Sequence, residues 1–190
     1  MLGVSDHDIS PKFSWNYKGA LVAKRIIDLA ETPEAIKYFS GTCQDLMDYD
    51  YWFLLSTLWV SYSSNSDLNL WKQLFSSTRK NREKSIMKPS ELEKFKQLPW
   101  FVSIYRAHRP CETDWIAYTL DSLIAARFAR ERGIDHVVEY RVKKRDILAL
   151  FLRRGEAEVL VLDKNKINFV REIKVVVTDK NSNQYPCGES

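Results

Sequence analysis

Apolar positions recur at helical spacing through the first half of the chain and at alternate positions through much of the second. In "NYKGALVAKRIIDLAE", Leu21, Val22, Ile26, Ile27 and Ala30 recur at helical spacing. "TPEAIKYF" follows, with Thr32 as N-cap and Pro33 at the first helical position. "DLMDYDYWFLLSTLWVSY" sets Leu55, Leu58, Trp59 and Tyr62 on one stripe, and "SDLNLWKQLF" does the same with Leu70, Trp71, Leu74 and Phe75. In "KPSELEKFKQLP", Ser90 and Glu93 read as a capping box and Pro99 as a stop. Residues 1–16 read as an irregular arm.

Near residue 98 the period changes. "WFVSIYRA" alternates, with Val102, Ile104 and Arg106 on one face. "WIAYTLDSLIAARFA" reads as a short strand, a turn at Leu120-Asp121 and a helix, with Asp121 as N-cap and Gly133 closing the helix. "HVVEYRV", "EVLVL" and "REIKVVV" read as strands, and "KRDILALF" as a short helical turn capped by Asp146. The pattern predicts an α+β protein: a helical part over 1–98 and an α+β part over 99–190, as two parts or one compact unit.

Composition narrows this picture only in places. A chain of 190 residues with 45% hydrophobic content has material for a packed core. The net charge of +4 suits an anionic ligand without demanding nucleic acid. The densest basic run, Arg79 to Lys84, reads as a solvated loop. Cys43, Cys111 and Cys187 are widely spaced and lack a CxxC pattern, so neither a disulfide framework nor a zinc site is expected. The N-terminus lacks a basic-then-apolar layout, and "YWFLLSTLWVSY" is too short to span a bilayer. A cytoplasmic location away from membranes is therefore expected. Six glycines and no glycine-rich loop exclude a Rossmann-type dehydrogenase.

Candidate chemistry concentrates in the second half. In "RRGEAEVLVLD", Glu156 and Glu158 are two apart, which on a strand puts both carboxylates on one face about 7 Å apart. Such a pair resists joint ionisation unless a cation or polar ligand lies between them. The plain alternative is two solvated acids beside Arg153 and Arg154. Arg106, on an apolar strand face, needs an anionic partner, either a core carboxylate or a phosphate. Thr119 brings a hydroxyl to the turn before the helix. Tyr105, Trp115 and Tyr118 are aromatic candidates for stacking on a ligand. Most of Arg127, Arg130, Glu131 and Arg132 in the following helix are expected on its wet side. His108 reads as a polar loop histidine. Pairing it with Cys111 as a nucleophile lacks an orienting partner.

An arginine strand "IYRAH", a hydroxyl-bearing strand and helix "AYTLDSLIAARFA", and a late E-x-E in "RRGEAEVLV" follow one another in this order. In that order the chain resembles the ADP-ribosyltransferases of the arginine–serine–glutamate type over about residues 100–178. As a whole it resembles phage and bacterial proteins that carry a helical segment before this half. The resemblance implies a split β-sandwich with flanking helices. It implies NAD as substrate, no metal, and mono-ADP-ribosylation of an arginine on a protein target, such as a host protein modified by an effector. It assigns Glu158 to the ribose beside the breaking nicotinamide bond and Glu156 to the acceptor guanidinium. It assigns Arg106 to the phosphate or ribose of the nicotinamide half and Thr119 to support of Glu158 or of the nicotinamide pocket. One of Tyr118, Tyr105 and Trp115 is expected to stack on nicotinamide or adenine, and His108 is expected near the adenosine phosphates. Residues 152–155 correspond to the target-recognition loop. Ala117 stands where the family motif begins with serine, and Ala107 where glycine often follows the arginine. Two rival expectations follow: a binding module that keeps the fold without turnover, or a different reaction on the same scaffold, such as NAD hydrolysis or transfer to nucleic acid.

Overall fold

The computed structural model describes residues 8–29, 32–61 and 67–176. Ala30, Tyr62 and Cys187 lie outside the described residues. The chain divides into two compact units, 1–97 and 98–190.

The first unit is helical: α1 (Tyr17–Asp28), α2 (Pro33–Thr42), α3 (Asp48–Ser61), α4 (Leu68–Phe75), α5 (Arg82–Ile86) and α6 (Pro89–Gln97). Asn16 caps α1 by accepting from the Gly19 amide, and Pro33 opens α2. The stripe predicted for α3 understates its burial. Tyr51, Trp52, Leu54, Leu55, Ser56 and Leu58 are all buried, so the helix is apolar on more than one face and sits centrally. Trp59 packs its ring edge against Trp71 of α4 at 5.1 Å between centroids.

Two polar predictions are corrected here. Ser90 and Glu93 do not form the capping box of α6. Glu91, 1% exposed, accepts from the Lys88 amide at 2.8 Å, while Ser90 bonds through its amide and hydroxyl to Asp8. Pro89 starts the helix one residue before Ser90, so Ser90 cannot be its cap. Arg79, read as part of a solvated basic run, donates to the carbonyls of Cys43, Gln44 and Leu46 and lies over the Tyr51 ring. It satisfies carbonyls left open after α2.

The second unit carries one antiparallel sheet among the described residues. Its strands are β1 (Phe101–Arg106), β2 (Ala117–Thr119), β3 (His136–Lys143), β4 (Ala149–Phe151), β5 (Glu158–Leu160) and β6 (Ile167–Lys174), ordered β4-β5-β2-β1-β3-β6. β1 aligns with β3 over six positions but meets β2 at one, Tyr105 opposite Thr119. The sheet thus consists of two three-stranded halves, β4-β5-β2 and β1-β3-β6, joined at a single pair. This differs from two separate facing sheets, since the halves remain hydrogen-bonded at that point. Helix α7 (Ser122–Glu131) is capped by Asp121 and ends before Gly133, whose φ of +68° favours glycine. Its Ala125 and Ala129 pack with Ala107, Ile134 and Val137.

"KRDILALF" is not a capped helical turn. Lys144–Asp146 make one 3-10 turn, and Ala149–Phe151 form β4, buried on both faces. A continuous apolar run of this length lacks the alternation that marks a half-exposed strand.

Candidate functional site

One row of directly opposed residues crosses all six strands. Phe151 faces Glu158, Glu158 faces Thr119, Thr119 faces Tyr105, Tyr105 faces Glu139 and Glu139 faces Arg171. Directly opposed residues in antiparallel pairs share a face, so Glu158, Thr119 and Tyr105 present their side chains to one side of the sheet. Thr119 is buried. Its hydroxyl donates to the Glu156 carbonyl at 2.6 Å and accepts from the Asp121 amide at 3.0 Å. The Leu120 amide donates to the Ala157 carbonyl at 3.0 Å. Strand β2 and its turn therefore grip the backbone of the E-x-E segment at consecutive points.

The two glutamates are not on one strand face. Glu156 precedes β5, Ala157 has a φ of +44°, and only Glu158 belongs to the strand. The left-handed residue breaks the two-residue alternation that the sequence implied. Glu156 lies after a tight turn in which the Gly155 amide donates to the Leu152 carbonyl, and it pairs with Arg154 at 3.1 Å. Glu156, its side chain 21% exposed, is thus held by the neighbouring Arg154.

Arg106 follows Tyr105, so its side chain points to the opposite side of the sheet from Glu158. There it meets a carboxylate. Nε donates to Glu112 Oε2 at 3.0 Å, Nη2 donates to Glu112 Oε1, and Nη1 donates to the Ala117 carbonyl at 2.6 Å. The side chains of Arg106 and Glu112 are 16% and 14% exposed. His108 joins the same carboxylate, with Nδ1 at 3.1 Å from Glu112 Oε2 and Nε2 at 2.8 Å from the Tyr140 hydroxyl. Burial alone would raise the Glu112 carboxyl, but hydrogen bonds from His108 and Arg106, and their charges, outweigh it and hold the pKa down at about 2. An ionised Glu112 only accepts, so His108 Nδ1 is its donor.

Aromatic rings close around this group. Trp115 stands edge-on to His108 at 4.2 Å and 6.0 Å from the Arg106 guanidinium, and its indole N–H donates to the Tyr118 hydroxyl at 2.7 Å. Tyr118 and Tyr140 meet edge to face at 5.8 Å. Burial pushes both phenols up, so neither is an acid near neutral pH.

The structure thus gathers Arg106, His108, Tyr118 and Trp115 on one side of the sheet and Glu158, Thr119 and Tyr105 on the other. Both groups sit where the two halves join, and Ala117, whose carbonyl receives Arg106, lies two residues from Thr119. Sequence reasoning missed Glu112 as the partner of Arg106, although its spacing of four residues from His108 was a usable signal. It also missed Glu139, buried and paired with Arg171 at 2.8 Å. Arg127, Arg130 and Glu131 are exposed as expected, whereas Arg132, just past the end of α7, is partly buried and donates to the Ala107 carbonyl at 2.8 Å. Burial, followed by the charges of Arg109 and Arg106, lowers its pKa. Cys111 is disulfide-bonded, so it cannot serve as a thiolate partner for His108.

Among the described residues no group of three or more His, Cys, Asp or Glu is placed to hold a metal ion, and no helix is long and apolar enough to cross a membrane. Compared with known proteins, the chain matches no family model, no curated protein and no solved structure.

Proposed function

We propose that this chain is a mono-ADP-ribosyltransferase that takes ADP-ribose from NAD and transfers it to an arginine of a protein target. The observation that carries the reading is the grip of Thr119 on the E-x-E segment, with Glu158 directly opposite Thr119 across β2 and β5. A carboxylate on a strand, with its preceding turn fixed by a buried hydroxyl, is a preorganised negative charge. Cleavage of the nicotinamide–ribose bond develops positive charge on the ribose, and a carboxylate held beside it stabilises that charge. Glu158 takes this role. Glu156, on the adjoining turn, orients the incoming guanidinium, a task for which a carboxylate is suited. Arg106 contacts the diphosphate end of NAD. Two three-stranded halves joined at a single pair are compatible with the split sandwich of this family.

Transfer to a small guanidino acceptor tests the division of labour. Glu156→Gln keeps NAD cleavage but loses transfer to agmatine by at least about tenfold, since one charge-assisted contact is removed. Equal loss of cleavage and transfer contradicts the role of Glu156.

A second reading has its own observation. Arg106 already holds Glu112 and the Ala117 carbonyl, and Ala117 carries no hydroxyl, which favours a module that binds a partner without turnover. Absence of any nicotinamide release, together with retained binding of a partner, selects that reading. Label recovered on RNA or DNA selects transfer to nucleic acid. A bacterial cytoplasm with a phage-encoded effector is the setting proposed for the enzyme.

A further inference from the structure

Arg106 presents five N–H donors in a planar fork. Glu112 takes the edge formed by Nε and Nη2, and the Ala117 carbonyl takes Nη1. Three donors are used and two remain, one on each terminal nitrogen. A guanidinium held on one side edge and at one end cannot swing about its long side chain, so the directions of the remaining donors are fixed. Glu112 is itself fixed: His108 Nδ1 holds its second oxygen, and the Tyr140 hydroxyl holds the far side of the histidine ring. Trp115 packs edge-on against His108 and keeps the ring in place. The chain Tyr140–His108–Glu112–Arg106 resembles the arrangement by which a second layer of side chains orients a ligand-binding group.

We infer that Glu112 is a positioning residue, which aims the two remaining N–H groups of Arg106 at the diphosphate of bound NAD, with His108 and Tyr140 holding it in place. The inference rests on the transferase reading given above and adds to it a residue that never touches the substrate. Loss of the brace lets Arg106 sample several orientations, so diphosphate binding weakens while the bond-breaking step at Glu158 is left intact.

The test is steady-state nicotinamide release by the full chain, with ADP-ribose and free nicotinamide as competing probes. Glu112→Gln keeps the shape and one acceptor but loses the charge. It raises KM for NAD about tenfold and weakens inhibition by ADP-ribose to the same degree. It leaves kcat within about twofold and inhibition by nicotinamide unchanged, because nicotinamide lacks the diphosphate. A purely structural role would move both inhibitors together or change only thermal stability. Tyr140→Phe keeps the ring, removes the hydroxyl from His108, and raises KM about twofold in the same direction. If Glu112→Gln does not fold, Tyr140→Phe decides, and an unchanged KM overturns the inference. Tighter ADP-ribose binding by Glu112→Gln also overturns it, since Glu112 would then compete with the ligand. If the wild-type chain neither releases nicotinamide nor binds ADP-ribose, the transferase reading falls and this inference falls with it. If the wild type is active and the variants show no selectivity for ADP-ribose, only this inference falls.

Discussion

Glu112 is the residue on which the local electrostatics turn. Its carboxyl goes from an ordinary 4.5 in the unfolded chain to about 2 in the folded one. A depressed carboxyl pKa contributes stability that is fully present above the unfolded value and is lost as pH falls toward the folded one. The contribution is about 3 kcal/mol at neutral pH, taking about 1.4 kcal/mol for each unit of lowering. It disappears between about pH 4.5 and pH 2. Denaturant unfolding at pH 7 and pH 2.5 therefore separates wild type from Glu112→Gln at the higher pH and brings them together at the lower. A gap that is constant with pH assigns the stabilisation to packing instead. Thr119 makes a parallel case without charge. Thr119→Val takes the partner from the part-buried Asp121 amide and Glu156 carbonyl and costs about 1 kcal/mol, whereas Thr119→Ser keeps both bonds and costs less. Thermal unfolding of the two variants side by side checks this. The hydroxyl at Thr119 was legible from the sequence, but its partner was not, because the Glu156 carbonyl is 37 residues away in the chain.

At the scale of the element, helix ends and strand parity decide what a sequence reveals. Asp121 and Gly133 mark α7 because caps act on their own neighbours, and the chain states them locally. The capping motif has a fixed offset from its cap, and because Pro89 starts α6 that offset falls on Glu91 rather than Glu93. Glu91→Ala leaves the Lys88 amide without its acceptor and opens space at a site 1% exposed, so it lowers stability by about 1–3 kcal/mol. Glu93→Ala stays within about 0.5 kcal/mol. Equal effects of the two changes in thermal melts would contradict the cap assigned to Glu91. Strand β5 shows the opposite limit. "GEAEVL" alternates on paper, yet Ala157 adopts a left-handed backbone that no composition rule announces, and Glu156 leaves the face of Glu158. Alternation on β1 held, and it is the same alternation that turns Arg106 away from Tyr105 and so from Glu158.

At the scale of the whole molecule, the change of period near residue 98 was legible because helices and strands impose different spacings on the same apolar residues. The order of the strands was not. Strand pairing is set by contacts far apart in sequence, and β2, β4 and β5 are only three residues long. Such short segments carry little pattern of their own. The join between the sheet halves has functional weight in this account. Tyr105 opposite Thr119 is the one aligned position between β1 and β2, and the Arg106 group and the Glu158 row both meet there. A sheet joined so narrowly brings groups from both faces to one end. Glu158 and Arg106 lie at that end on opposite faces of the sheet.

Nicotinamide release from NAD by the purified full chain, with and without Glu158→Gln, tests the central claim most directly. The predicted result is measurable release by the wild type and a fall of at least about a hundredfold in the variant, with unfolding temperature little changed. Release that survives Glu158→Gln unaltered, or a folded wild type that leaves NAD intact in the presence of guanidino acceptors and host lysate, contradicts it.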